Sequence, residues 1–209
     1  MFRHLAVVCL LLASSEMICQ KILQKSYDAS SLSSVVLKAD GVHAITITSE
    51  VRKDIVIITE IHGETYENVM LDVVQTENAL IIKPDHTPFF IPENDKLAAH
   101  KVLAIEITVL LPTNFEVTIT SNMAQVLGSG HYKALNTSLA QGNCSLSQFS
   151  GNAKLWSKSG SISVKTLGNV RSKKVVSKRG KVIDNLPKQG RFAIVAETIS
   201  GDITLEQTK

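Results

Sequence analysis

KSGSISV at 158–164 and ISGDITL at 199–205 share one layout: a serine, a glycine, then apolar residues at every second position. Working outward from these two segments, a unit recurs along residues 113–209. Each unit is a short alternating strand, a turn and a second short alternating strand. The turn is occupied by Asn122, Gly142, Gly160, Gly180 and Gly201, at intervals of 20, 18, 20 and 21 residues. Two residues after it stand Ala124, Cys144, Ile162, Val182 and Ile203; four after it stand Val126, Leu146, Val164, Asp184 and Leu205. Three before it stand Ile119, Leu139, Ser157, Ser177 and Thr198, and five before it Val117, Thr137, Leu155, Val175 and Ala196.

Alternate residues of a strand face the same side, and a coil with one apolar side buries it only against neighbouring coils. The columns therefore predict a parallel β-solenoid of about five coils over residues 113–209. Glycine and asparagine recur at the corner because a tight corner needs positive φ. Gly130, Gly151, Gly168 and Gly190 mark a second corner. The competing architecture is an antiparallel sandwich with evenly spaced turns. Hairpins do not need column identity at constant phase, which favours the solenoid.

Upstream, AITIT (44–48) alternates cleanly, and DIVIIT (54–59), VMLDVV (69–74) and ALIIK (79–83) are β-branched runs between polar turns. QTEN (75–78) fits a hairpin connection. VLAIEITVLL (102–111) is the longest run, and Pro112 ends it. Residues 35–112 are thus expected to form an antiparallel or mixed β part. Residues 84–101 break the pattern with three of the five prolines and the pair Phe89-Phe90. Loops of that length are often functional. Two readings stand: the rings cap one end of the core, or they face a ligand or partner.

The bulk numbers agree with an all-β chain of one ordinary or elongated domain. Of the 209 residues, 44% are hydrophobic and 20% charged, which is globular rather than disordered. Aromatics make up 5%, suiting a narrow interior filled by Val, Ile, Leu and Ala. Arg3, the apolar run LAVVCLLLA (5–13) and a small polar stretch lay out a secretory signal peptide within residues 1–20. Cleavage after Ser15 and after Cys19 are both open. Lipidation of Cys19 is a further alternative, although Glu16-Met17-Ile18 departs from the small residues a lipobox has. Signal removal leaves Cys144 alone or nearly so, hence no internal disulfide. A buried, small apolar role suits it.

At this point the repeats, the secretory start and the β-rich first half resemble a large bacterial family labelled putative adhesin. Its members are β-solenoid envelope proteins of unknown function, common in the Bacteroides and Flavobacterium lineage. The resemblance covers roughly residues 35–209, and Ser-Gly-x-Ile-x-Val describes a coil corner rather than a site. It implies a fold and an envelope location, and it carries no catalytic residue.

The search for chemistry is correspondingly sparse. His43, His62, His86, His100 and His131 are too far apart in sequence for a local zinc motif. No nucleophile elbow, phosphate loop or dinucleotide fingerprint is found. Solenoid polysaccharide lyases and hydrolases need clustered acids, and the repeats from residue 120 onward hold only Asp184, Glu197, Asp202 and Glu206. Asp184 stands in an otherwise apolar column, either as a buried acid or as a local break in the coil. No catalytic residue, metal or cofactor is therefore expected.

Charge is uneven. Residues 1–119 carry a net of −6 and residues 120–209 a net of +9. Arg171, Lys173, Lys174, Lys178, Arg179 and Lys181 place six positive charges in eleven residues. Without aromatic interleaving, and in an exported protein, nucleic acid is not the expected partner. Two readings remain for the run: a solvated face that keeps solenoids from stacking, or a binding stripe. For a stripe, the partners would be acidic envelope polysaccharide, lipid head groups or another envelope protein. The chain thus reads as an exported, non-catalytic, adhesin-like module of the periplasm or cell surface. A carbohydrate-active enzyme and a structural envelope scaffold are its alternatives.

Overall fold

The computed structural model describes residues 20–63, 66–87 and 103–208, so residues 1–19 of the signal-peptide segment and Phe89-Phe90 lie outside the described residues. The strands found there are β1 (Gln20–Asp28), β2 (Ser34–Lys38), β3 (Ala44–Glu50), β4 (Asp54–Gly63), β5 (Val69–Gln75), β6 (Ala79–His86), β7 (Leu103–Pro112) and β8 (Glu116–Ser121). They continue as β9 (Gln125–Gln141), β10 (Cys144–Ser159), β11 (Ile162–Leu167), β12 (Val170–Ser177), β13 (Val182–Asp184), β14 (Phe192–Ser200) and β15 (Ile203–Thr208). The only helical element among the described residues is a turn of 3-10 helix, Tyr66–Asn68. The fold is all-β.

These strands make one mixed sheet that runs in two tracks. The first has the order β5-β6-β2-β8-β9-β10-β14-β12, and the second β1-β4-β7-β3-β9-β10-β11-β15-β13. Strands β9 and β10 are long enough to serve both. Their N-terminal halves pair in the second track and their C-terminal halves in the first. Pairing is antiparallel in β1–β4, β4–β7 and β5–β6, and parallel in every other pair described. The tracks share one core, in which Val35, Leu37, Ile45, Ile107, Val117, Ile119, Leu155, Ile162, Ile194 and Leu205 are all buried.

The sequence expectation is modified in three places. First, residues 35–112 are mixed: the QTEN hairpin joins β5 to β6, but β2 and β3 pair in parallel with strands of the second half. The sheet crosses Pro112 without a break, since β3 lies between β7 and β9. Strand β1 also extends the sheet upstream of residue 35, and its Lys21 and Lys25 ammonium groups donate to the Val69 and Leu71 carbonyls of β5.

Second, the units do not stack in sequence order. The last pair, β14 and β15, inserts between β10–β11 and the preceding pair, β12–β13. At the other end β2 and β3 likewise sit between β6–β7 and β8–β9. Every unit shows the same inward columns, so spacing cannot say which unit covers which. Burial gives the reason: Ile203 and Leu205 are fully buried in an inner place, whereas all of β13 is exposed at the end of its track.

Third, the first repeat is out of register by two residues. Leu139 pairs with Ser121 and Cys144 with Val126, so Ala124, not Asn122, stacks at the corner beside Gly142. A two-residue slip leaves every side chain on the same face, which is why the columns looked right with either choice. The other four units keep the predicted columns: Cys144 pairs with Ile162, Ile162 with Ile203 and Ile203 with Val182.

Two corner glycines are required by geometry. Gly142 has φ +111°, and a Cβ there would collide with the Ala124 carbonyl; at Gly201, φ is +151° and the obstacle is the Gly160 carbonyl. Backbone contact between neighbouring strands at the corner leaves no room for a side chain.

Candidate functional site on the outer face of the first track

The basic run does not form a stripe across successive coils. It lies along β12, the edge strand of the first track, and round the corner that follows. Arg171 is half-buried; Lys173, Lys174, Lys178, Arg179 and Lys181 are exposed. In the corner, the Lys178 amide donates to the Thr198 carbonyl at 3.1 Å and the Lys181 amide to Asp202 Oδ1 at 2.8 Å. The backbone is thereby pinned while the side chains face solvent.

A β-bulge re-aims part of this run. Ser172 pairs with Ile194 and Lys174 with Val195, leaving Lys173 as the extra residue on β12. A bulge of this kind puts two consecutive residues on one side of a strand. Lys173 and Lys174 are therefore both exposed, although adjacent, on the outer face of the first track.

That face holds a hollow which sequence reasoning missed. Two register rows cross it. One runs Thr118, Asn136, Lys154, Val195, Lys174, and the other Thr120, Ser138, Trp156, Glu197, Val176. Short side chains at Thr118, Ser138 and Val195 form a floor, while Trp156, Lys154 and Glu197 stand above it. The hollow between them has a volume of about 430 Å³. A second hollow of about 320 Å³ shares Asn136, Lys154 and Val195 with the first and reaches Lys173, Asn152 and Glu116. Together they form one trough across β8, β9, β10, β14 and β12. At ~4.8 Å between strands its length is ~19 Å.

The trough combines an apolar platform with polar rims. Trp156, the only tryptophan of the chain, is 39% exposed. Its neighbour Glu197 is ion-paired to Lys174, with Nζ 2.8 Å from Oε1. Asn136 Nδ2 lies 3.5 Å from Thr118 Oγ1, and Asn152 Oδ1 accepts from the Ala193 amide at 3.1 Å. The signal available in the sequence was the column four residues before each glycine: Ser138, Trp156, Val176, Glu197. It faces outward, has no common character, and so drew no notice.

The titratable groups inside the fold do not serve this face. Cys144 is fully buried, and burial pushes its thiol up to about 12, the Thr137 hydroxyl pulling the other way. Burial likewise raises the Tyr132 phenol well above its ordinary value; its O–H is shared between the Ile47 carbonyl at 2.9 Å and the Ser129 carbonyl at 2.7 Å. Asp184 is exposed at the end of the second track, where its Oδ1 accepts from the Leu186 amide at 3.2 Å. Of the two readings for Asp184, the buried acid falls; the residue keeps its register with Leu205 on the exposed end strand. Among the described residues no group of three His, Cys, Asp or Glu could hold a metal ion, and no helix is long and apolar enough to cross a membrane.

No family model matches this chain, and no curated protein is significantly similar to it. Solved structures are similar in fold. A putative cell adhesion protein from Clostridium sporogenes superimposes with a TM-score of 0.64 at 13% identity, over 90% of this chain and 100% of that one. Two putative adhesins, from Bacteroides fragilis and Parabacteroides distasonis, are 15% and 13% identical with TM-scores of 0.39 and 0.35; each match covers 90% of this chain and 97% of the other. Those two overlays are too loose to support an argument. The chain therefore has the fold of the putative cell adhesion protein from Clostridium sporogenes, in agreement with the resemblance of its repeats to the putative-adhesin family.

Proposed function

We propose that this chain is an exported, non-catalytic cell-envelope protein that acts as an adhesin-like interaction module, on a scaffold of β-solenoid coils. Its proposed partner class is the acidic polysaccharide of the envelope, met in the periplasm or at the cell surface. The observation that carries this reading is the terminal unit. Five exposed basic side chains gather there, and among the described residues only Lys174 of the five is ion-paired. A dense, solvent-facing positive edge attracts polyanions over a Debye length. The likeness in fold to a putative cell adhesion protein adds to it. The non-catalytic part rests on three acids of the repeats being separately engaged: Glu197 by Lys174, Asp184 by the Leu186 amide and Asp202 by the Lys181 amide.

A scaffold reading has its own support, because sheet edges commonly carry lysines that prevent edge-to-edge pairing, and β12 is such an edge. Binding to an acidic envelope polysaccharide at low and high salt separates the two. An interaction module binds tightly at low salt, weakens steeply with salt, and loses binding when Lys173, Lys174, Lys178 and Arg179 are changed to Ser. Unaltered binding in that variant rejects the basic edge. A variant that stays monomeric also rejects the edge-guard role.

A further inference from the structure

The trough on the first track joins a half-exposed indole, a short-chain floor and two lysines from different strands. We infer that it is a saccharide subsite for an acidic pyranose, with Trp156 as the stacking platform and Lys154 and Lys173 as the carboxylate clamp. This inference rests on the adhesin-like reading for its polysaccharide source, but it names a site separate from the basic corner.

Four observations carry it. The indole faces a hollow instead of packing into the core, where the rings of Tyr132 and Phe149 are fully buried. An indole face takes up the apolar C–H face of a sugar ring, and such rings pair a large contact area with a polar edge. The floor is kept low by Val195, Thr118 and Ser138, so a ring can lie beside the indole. The lining offers hydrogen-bonding groups of both kinds, an amide at Asn136 and hydroxyls on the floor at Thr118 and Ser138, as multiply hydroxylated ligands require.

Charge then selects the sugar class. Lys154 and Lys173 line the same hollow, and the bulge that turns Lys173 outward serves no pairing of the ladder. Glu197 is already matched by Lys174. Glu116 lines that hollow as well, so two ammonium groups face one resident carboxylate and leave a net positive charge. That balance suits a ligand carboxylate, to which charge-assisted hydrogen bonds are short and strong. A uronic acid presents such a group beside a stackable pyranose face.

Because Trp156 is the sole indole, its fluorescence reports on the site itself. The test titrates the purified protein with trigalacturonate and, separately, with its methyl ester. Trigalacturonate is expected to shift and quench the emission saturably, and the ester to bind about tenfold more weakly. By calorimetry, Trp156→Ala weakens trigalacturonate about tenfold. Lys154→Ala with Lys173→Ala reduces the acid to the affinity of the ester. No saturable change with trigalacturonate, or calorimetric binding untouched by Trp156→Ala, overturns the subsite. A variant with Ser at Lys178, Arg179 and Lys181 keeps trigalacturonate binding while losing salt-sensitive binding of the long polysaccharide. If the long polysaccharide binds and the trimer does not, the basic edge stands and the subsite falls. The reverse pattern keeps the subsite and rejects the basic edge.

Discussion

Lys174 Nζ lies 2.8 Å from Glu197 Oε1, joining the edge strand β12 to its inner neighbour β14 on the outer face of the first track. The lysine side chain is 56% exposed, so the pair is screened by solvent and contributes at most about 1 kcal/mol to stability. Its greater consequence is electrostatic: it sets the balance of charge beside Trp156. Glu197→Gln is expected to change the unfolding midpoint little and to strengthen binding of an acidic oligosaccharide severalfold at low salt. Calorimetry at two salt concentrations checks both halves.

Leu155 and Trp156 are consecutive yet face opposite sides of β10. Leu155 is 1% exposed and belongs to the core; Trp156 borders the trough. Leu155→Ala is expected to cost about 2–5 kcal/mol. Trp156→Ala should cost about 1 kcal/mol or less, with its effect seen in binding. Urea denaturation of the two variants, followed by circular dichroism, tests this division.

Gly142→Ala asks whether the corners stack as described. The new methyl group would meet the Ala124 carbonyl on a backbone already at φ +111°. A loss of about 1–3 kcal/mol is expected, against almost none at Gly41→Ala in the clash term, where a Cβ meets open space. Since φ at Gly41 is +77°, that control reports backbone strain alone. The difference between the two, from urea midpoints, isolates the contact.

Alkaline pH should unfold the protein through its core. The Cys144 thiol, ordinarily at 9.0, is raised to about 12, and the Tyr132 phenol is raised as well. For both groups the neutral form is the one the fold accommodates. Their contribution is complete below pH 9 and is lost as pH climbs toward 12, because the unfolded chain ionises first. Stability measured from pH 7 to 11 should fall on the alkaline side, less steeply in Cys144→Ala. Native Cys144 should also react with thiol reagents only as fast as the chain opens.

How far the sequence reaches can be judged from particular residues. The inward columns were legible because Cys144, Ile162 and Ile203 stack in register as spacing predicted. The neighbour order was not, since units with the same inward columns are interchangeable by pattern alone. Asn122 was mistaken for the corner that Ala124 fills because a slip of two preserves the faces. The basic run was visible as composition, yet its turn outward depends on the bulge at Lys173, which two adjacent lysines do not announce. Trp156 was legible as a residue and hidden as a site: what surrounds it comes from β8, β9 and β14, brought together only by the stacking.

Mapping of backbone amide shifts by NMR as trigalacturonate is added tests the binding-face account most directly. The account predicts shifts confined to the outer face of β9, β10, β14 and β12, with the Trp156 indole signal moving furthest. Shifts confined to the second track, or none at all, would contradict it.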